Sequence, residues 1–201
     1  RTWRIYPLPC DVRDYAFSGR FSVKRLGAIL AGGKSSRFGS DKAEALLQDR
    51  PLLEHVAGAL RHQMDDVILC GRERPDLTHV ADRPFADLGP LGGLNAALHY
   101  ACNNGFDVVL SVGCDVLPIP DMTRILDVET AYYIEGHHVF GLWPVSLAAK
   151  LDEHLEQQSN HSMRHWIETA GARPILSPVP HFNINYPSDL AQYANSLVVD
   201  G

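Results

Sequence analysis

The run Leu30-Ala31-Gly32-Gly33-Lys34-Ser35-Ser36-Arg37-Phe38-Gly39-Ser40-Asp41-Lys42 collects, in one short stretch, the residue types that hold an anion. Gly32-Gly33 lets the backbone turn sharply and approach a ligand with no Cβ in the way. Successive backbone N–H groups, the hydroxyls of Ser35 and Ser36, and the cations Lys34, Arg37 and Lys42 then form a cradle for negative charge. The spacing is not that of the phosphate loop G-x-x-x-x-G-K-[ST], because no Gly-Lys-Ser/Thr follows. Nor is it the dinucleotide fingerprint G-x-G-x-x-G, because the glycines are adjacent.

Asp115 ends the most apolar run of the chain, Asp107 to Gly113, at the carboxyl edge where open α/β sheets bind ligands. A carboxylate there can hold Mg²⁺, which takes few protein ligands and completes its shell with water and phosphate oxygens. The alternative is a turn or helix-capping aspartate. Asp82 repeats the pattern after a weaker run. Gly89-Pro90-Leu91-Gly92-Gly93 either presents backbone to a base or sugar, or is a tight turn before a helix. In Asn183-Ile184-Asn185 both amides face one side of an extended segment, available to a ligand or to local backbone. Among the ten histidines, His137, His138, His154, His161 and His165 cluster in the C-terminal half. None forms H-E-x-x-H and no cysteine stands at zinc spacing, so contacts to an anionic acceptor suit one or two of them better than a zinc site. The absence of G-x-S-x-G leaves acyl transfer without support.

Short apolar runs alternate with amphipathic stretches from Lys24 onward. This predicts a single-domain, Rossmann-like α/β fold with a mainly parallel sheet flanked by helices. Strands are expected at Leu26–Leu30, Val67–Cys70, Thr78–Ala81, Asp107–Gly113, Ala131–Ile134, Val139–Trp143 and Arg173–Val179. Helices are expected at Pro51–Gln63, Leu94–Cys102, Ser146–Gln157, Ser162–Ala170 and Pro187–Ser196. Residues 1–25 read as an N-terminal extension without an assigned role, and residues 26–201 as the domain.

A net charge of −6 gives the surface as a whole no attraction for nucleic acid or anionic membrane. No apolar run approaches the roughly 20 residues that span a bilayer, and the N-terminus lacks a signal-like apolar core. The cysteines Cys10, Cys70, Cys102 and Cys114 show no C-x-x-C pairing, and reduced thiols in a cytoplasmic protein are expected rather than disulfides.

Four motifs in order resemble the molybdenum cofactor guanylyltransferases, of the wider sugar-phosphate nucleotidyltransferase class. Leu30 to Gly33 with Arg37, Gly39 and Asp41-Lys42 looks like the family's signature loop. Gly89 to Leu94 resembles its G-P-L-[AG]-G segment, Cys114-Asp115 its strand-end C-D, and Phe182-Asn183-Ile184-Asn185 with Pro187 and Leu190 its N-[IV]-N-T-P ending. The resemblance spans about Leu26 to Tyr193. It implies that Leu30, Ala31, Gly32 and Gly33 hold the guanine and ribose of GTP through backbone, that Lys42 binds phosphate with Arg37 assisting, that Asp82 sits near the nucleotide, and that Asp115 carries Mg²⁺. It places Asn183 and Asn185 at the site as well. The implied reaction is GMP transfer from GTP to the phosphate of molybdopterin or molybdenum cofactor, releasing pyrophosphate. Other cofactor-biosynthesis proteins and apo-molybdoenzymes are the implied protein partners. The related cytidylyltransferases read L-A-A-G at Leu30 to Gly33, which favours GTP over CTP. Several positions depart from the family: Cys70 stands where an Asn is frequent near the nucleotide, His138 replaces a Pro after His137, His161-Ser162 replaces a basic pair, and Tyr186 replaces a Thr. These bear on the acceptor, so another phosphate monoester, a CTP-using enzyme and an inactive nucleotide-binding protein are the alternatives.

Overall fold

The run at Leu26 to Leu30 has no polar face, so it can form a strand only where both faces are covered. In the computed structural model, which describes residues 23–32, 38, 41–125 and 127–199, it is β1 (Arg25–Leu30), inside a seven-stranded sheet. The chain continues through the hairpin β2 (Leu46–Leu47) and β3 (Arg50–Pro51), then α1 (Leu52–Arg61), β4 (Asp66–Cys70), β5 (Thr78–Val80) and α2 (Pro90–Asn103). β6 (Val108–Gly113), β7 (Val116–Leu117), β8 (Tyr132–Ile134), β9 (His137–Pro144), α3 (Ala148–Gln157) and α4 (Met163–Ala170) follow. β10 (Arg173–Ile175), β11 (Phe182–Asn183) and α5 (Pro187–Val199) complete the order.

The sheet order is β10-β8-β9-β6-β1-β4-β5. β6, β1, β4 and β5 pair in parallel, β9 runs antiparallel to both β6 and β8, and β10 is parallel to β8. Side-chain alternation divides the core in two. Leu26, Ala28, Ile68 and Val109 pack with Leu94 and Leu98 of α2 and Trp166 of α4. Ile29, Val67, Leu69 and Leu110 pack with Leu53, Val56 and Leu60 of α1 and Tyr193 of α5. Burying each large aliphatic side chain contributes about 1.5–3 kcal/mol, so the two layers hold the strand ends in fixed register. The one buried hydroxyl of β6, Ser111 Oγ, donates to Val139 O at 2.6 Å and accepts from Trp143 Nε1 at 2.9 Å.

Two expectations are corrected. α2 begins at Pro90 rather than Leu94, so Gly92 and Gly93 lie inside the helix instead of forming a turn. The turn is Gly89, at φ +62°, and Pro90 supplies a first-turn residue with no N–H to satisfy. The glycines serve packing: a Cβ on Gly92 would stand 3.1 Å from the Cβ atoms of Asp82 and Leu88, and one on Gly93 3.1 Å from Cys70 Cβ. The second correction concerns thiols. Cys70 and Cys114 are free, but Cys102 is disulfide-bonded, its partner lying outside the described residues. Cysteine spacing along the chain carries no information on which half-buried thiol at a helix end meets another in space.

Among the described residues, no helix is long and apolar enough to cross a membrane.

Candidate functional site

The carboxyl ends of β1, β4 and β6 converge on a cleft of about 220 Å³. Its floor follows from backbone packing. Ala31 N donates to Cys70 O at 3.0 Å, tying the segment after β1 to β4. Gly71 takes φ +77°, and a Cβ there would stand only 2.8 Å from Gly32 Cα. Any side chain at Gly71 would separate the two chain segments and close off the floor. Leu30, Ala31 and Gly32, three of the four residues of the L-A-G-G sequence, line this part of the cleft together with Cys70. Gly33 and Arg37, with Lys34, Ser35, Ser36, Gly39 and Ser40, lie outside the described residues.

Asp82 occupies one end of the cleft, surrounded by glycine. Its carboxylate oxygens lie within 3.1–3.7 Å of the positions a Cβ would take on Gly32, Gly71 and Gly93. Burial raises its pKa above the ordinary carboxylate range, and the nearby charge of Asp87 adds to the rise. An acceptor held this close to bare backbone is suited to take hydrogen bonds from a ligand's N–H or O–H groups.

The other end carries opposite charges in contact. Asp41 accepts from Ala43 N at 3.2 Å and so opens a short 3-10 helix, Lys42–Glu44, which fixes the backbone of Lys42. Lys42 Nζ donates to Asp115 Oδ2 at 2.6 Å and to Asn185 Oδ1 at 3.4 Å. These residues, far apart in sequence, are joined by the fold: Asp115 follows β6, and its backbone carbonyl accepts from Ile184 N at 2.8 Å. β11 pairs with β7 beside it, and Asp189 caps the segment by accepting from Asn185 N and Tyr186 N at 2.9 and 2.8 Å. Ile184 is fully buried, which turns Asn185 toward Lys42, whereas Asn183 is exposed in β11. The structure therefore brings Lys42, Asp115 and Asn185 together, with Asp82 at the far end.

Both free thiols are unreactive in this setting. Burial pushes the Cys114 thiol up to about 11, with the Asp115 charge adding to the shift and Lys42 and Arg72 opposing it. Burial, helped by Asp82, raises Cys70 further still. Neither is a thiolate nucleophile near neutral pH. Cys70, where an amide was the family expectation, is an apolar wall against Gly93.

Arg72 was not singled out from the sequence. Its guanidinium lines the cleft, with Nη2 2.6 Å from Asp41 Oδ2 and Nη1 3.6 Å from Glu44 Oε1. A cation one residue past a strand-end glycine was the available signal.

Two groups of histidines lie in the C-terminal half. His137 and His181 meet edge to face, centroids 4.9 Å apart, and His181 Nδ1 lies 2.9 Å from Pro118 O. Burial lowers the pKa of both, the Asp115 charge partly opposing this at His137. His154 is buried against Trp166 and His165, with centroid distances of 5.3 and 5.2 Å, and the charges of His165 and His161 reinforce the lowering that burial causes. The charge of His161 is thus felt at His154, on α3. Among the described residues, no group of three or more His, Cys, Asp or Glu side chains is arranged to hold a metal.

Comparison with known proteins adds a family. A family model described as the MobA-like NTP transferase domain matches residues 27–173. The chain is similar to a molybdenum cofactor guanylyltransferase of Rhizobium leguminosarum bv. trifolii (strain WSM2304), 35% identical over 196 residues, which cover 86% of this chain and 94% of that one. It is 33% identical over 187 residues to another of that name from Rhizobium johnstonii, covering 83% of this chain and 90% of the relative. In structure it resembles molybdopterin-guanine dinucleotide biosynthesis protein A from Archaeoglobus fulgidus, with TM-score 0.66 and 19% identity over 88% of this chain and all of the other.

Proposed function

The chain belongs to the MobA-like NTP transferase family, and we propose that it transfers GMP from GTP to the terminal phosphate of molybdopterin, bare or carrying molybdenum. The observation that carries this reading is the Lys42–Asp115–Asn185 contact at one end of a glycine-floored cleft, with an accepting carboxylate, Asp82, at the other. That layout separates a charged end for phosphates from a nucleoside end, in a cleft whose floor is backbone.

Asp82 supports guanine. A carboxylate accepts two hydrogen bonds, and guanine presents N1–H and N2–H₂ side by side. The backbone of Leu30, Ala31 and Gly32 supplies further partners along the floor, and Gly33 continues that segment. Cys70 adds an apolar contact rather than an amide.

The reaction requires positioning and positive charge more than a protein nucleophile. An oxygen of the acceptor's phosphate forms a bond to the α-phosphorus of GTP. The bond from the α-phosphorus to the bridging oxygen breaks, and pyrophosphate leaves with the electron pair. The acceptor oxygen is already an anion, so no residue has to remove a proton, which agrees with the protonated state of Cys114. Lys42 holds a phosphate oxygen by a charge-assisted hydrogen bond and keeps the α-phosphorus in line with the acceptor. Arg37 assists from the loop.

The donor set fits Mg²⁺. Asp115 and the Asn185 carbonyl oxygen are hard oxygen donors that meet at Lys42 Nζ, and the adjacent Cys114 is held as a thiol. Asp115 would hold the ion, which when bound neutralises charge on the phosphates.

An acceptor screen tests the assignment. Protein with Mg-GTP is given molybdopterin, a sugar phosphate or phospholactate, and pyrophosphate release is followed. Release with molybdopterin is expected; release with another monoester and none with molybdopterin refutes the acceptor.

A further inference from the structure

The cation left over by this account is Arg72. It borders the same cleft as Lys42, and its guanidinium is held by Asp41 at 2.6 Å and Glu44 at 3.6 Å. Both acids have other partners. Asp41 also accepts from Ala43 N at 3.2 Å and its side chain remains 42% exposed to water. Glu44 is also held by Arg74 Nη1 at 3.3 Å, and Arg74 is anchored in turn by Asp76 at 2.9 Å and Glu54 at 3.3 Å. Arg72 can therefore leave without orphaning either carboxylate and without releasing the short helix that places Lys42. Arg74 braces the fold; Arg72, which lines the cleft where Arg74 does not, is the exchangeable member of the pair.

The local backbone aims it. Gly71 at φ +77° packs its backbone on Gly32, so the next residue emerges beside Gly32 at the cleft floor. The charge of Arg72 is felt at Cys114, next to Asp115, which lines the same cleft. A guanidinium offers planar paired donors that match two phosphate oxygens, whereas an ammonium is a point charge.

We propose that Arg72 is a further phosphate-binding residue of the donor site. On nucleotide binding its guanidinium leaves Asp41 and Glu44 and takes oxygens of the triphosphate, across from Lys42. This rests on the nucleotidyl-transfer reading above and adds to it a charge exchange: in the absence of nucleotide, Asp41 masks a cation that would otherwise bind any passing anion.

The test is a pair of substitutions with opposite signs, read as equilibrium binding by calorimetry on the full chain. The ligands are Mg-GTP and magnesium tripolyphosphate, which lacks a base. Arg72→Gln is expected to weaken both by about tenfold, the loss of a charge-assisted contact, and Arg72→Lys to recover part of it. Asp41→Asn keeps an oxygen for Ala43 N but releases the guanidinium, so it is expected to tighten both ligands about threefold, since it removes a competing ion pair of modest strength. If Arg72 were only a brace for the loop, both changes would break the same ion pair and both would weaken binding; that outcome overturns the proposal. So does parent-like binding by Arg72→Gln. Should Arg72→Gln fail to fold, the sign of Asp41→Asn decides alone. If parent protein binds neither ligand, the donor site itself is wrong, a failure distinct from one confined to Arg72.

Discussion

Removing the Lys42 ammonium tests whether the Lys42–Asp115 contact is there for phosphate or for the fold. The side chains are 13% and 24% exposed, with Nζ 2.6 Å from Oδ2. At an effective dielectric of about 20, two unit charges that close attract by about 6 kcal/mol before desolvation is counted. Desolvation of both ions offsets most of this. Lys42→Ala leaves Asp115 at the water-filled cleft rather than in a sealed core, so its net cost to folding should be about 1 kcal/mol, or roughly 2–4 °C in Tm for a chain of this size. The cost to catalysis should be larger. Loss of a charge-assisted contact to a transferring phosphate is worth about 1.5–3 kcal/mol, a fall of roughly 10–150-fold in kcat/KM. Lys42→Ala, Asp115→Asn and the double variant would be assayed by pyrophosphate release over a range of Mg-GTP, with parallel thermal melts. Asp115→Asn should remove the dependence of turnover on Mg²⁺. The double variant should lose less than the product of the single losses, because both residues serve one triphosphate. A kcat/KM for Lys42→Ala within threefold of the parent, alongside a large drop in Tm, would refute the reasoning and make the pair structural.

Three further variants test the same geometry. Asp82→Asn should weaken GTP by about tenfold and cancel the preference for GTP over inosine triphosphate, which lacks the N2 amino group; equal loss of both nucleotides would move Asp82 to the ribose. Because burial raises the folded-state pKa of Asp82, its contribution to stability is full at low pH and lost as pH rises through that value. The Asn variant should therefore melt higher than the parent at neutral pH without ligand, and an unchanged or lower Tm counts against the buried-charge argument. At His154 the shift is downward, so its contribution is full above the ordinary histidine value of 6.5 and is lost as pH falls through the lower folded value. His154→Phe, which keeps a ring against Trp166, should flatten the decline of Tm below that pH, and an identical pH profile would contradict it. Gly93→Val adds atoms where a Cβ already stands 3.1 Å from Cys70 Cβ, and should cost about 1–3 kcal/mol of stability while weakening GTP binding. A normal Tm with normal GTP affinity would show that α2 does not need its close approach to the floor.

The legible parts of the fold were those where burial dominates. β1 and β6 carry apolar runs that no solvent-facing element would tolerate, and Asp115 at the end of β6 follows from that assignment. The opening of α2 was misjudged because Gly92-Gly93 reads locally as a turn; tertiary packing on Asp82 and Cys70 makes glycine the residue that fits inside the helix there. β7 and β11 are two-residue strands with no period of their own, fixed by pairing with each other. Asn185 stood out by its spacing, but its turn toward Lys42 depends on the burial of Ile184 between the two amides. Arg72 was missed because its meaning lies in sheet order: only when β4 lies beside β1 does Gly71 rest on Gly32 and bring the next residue to the cleft.

The central claim, GMP transfer to molybdopterin, is most directly measured with GTP labelled at the α-phosphorus, Mg²⁺ and molybdopterin, following the label into a pterin dinucleotide. The account predicts that label appears in the pterin product with one pyrophosphate released per transfer, and that α-labelled CTP gives none. Label passing from CTP instead of GTP, or from GTP to another phosphate monoester but never to molybdopterin, would contradict it.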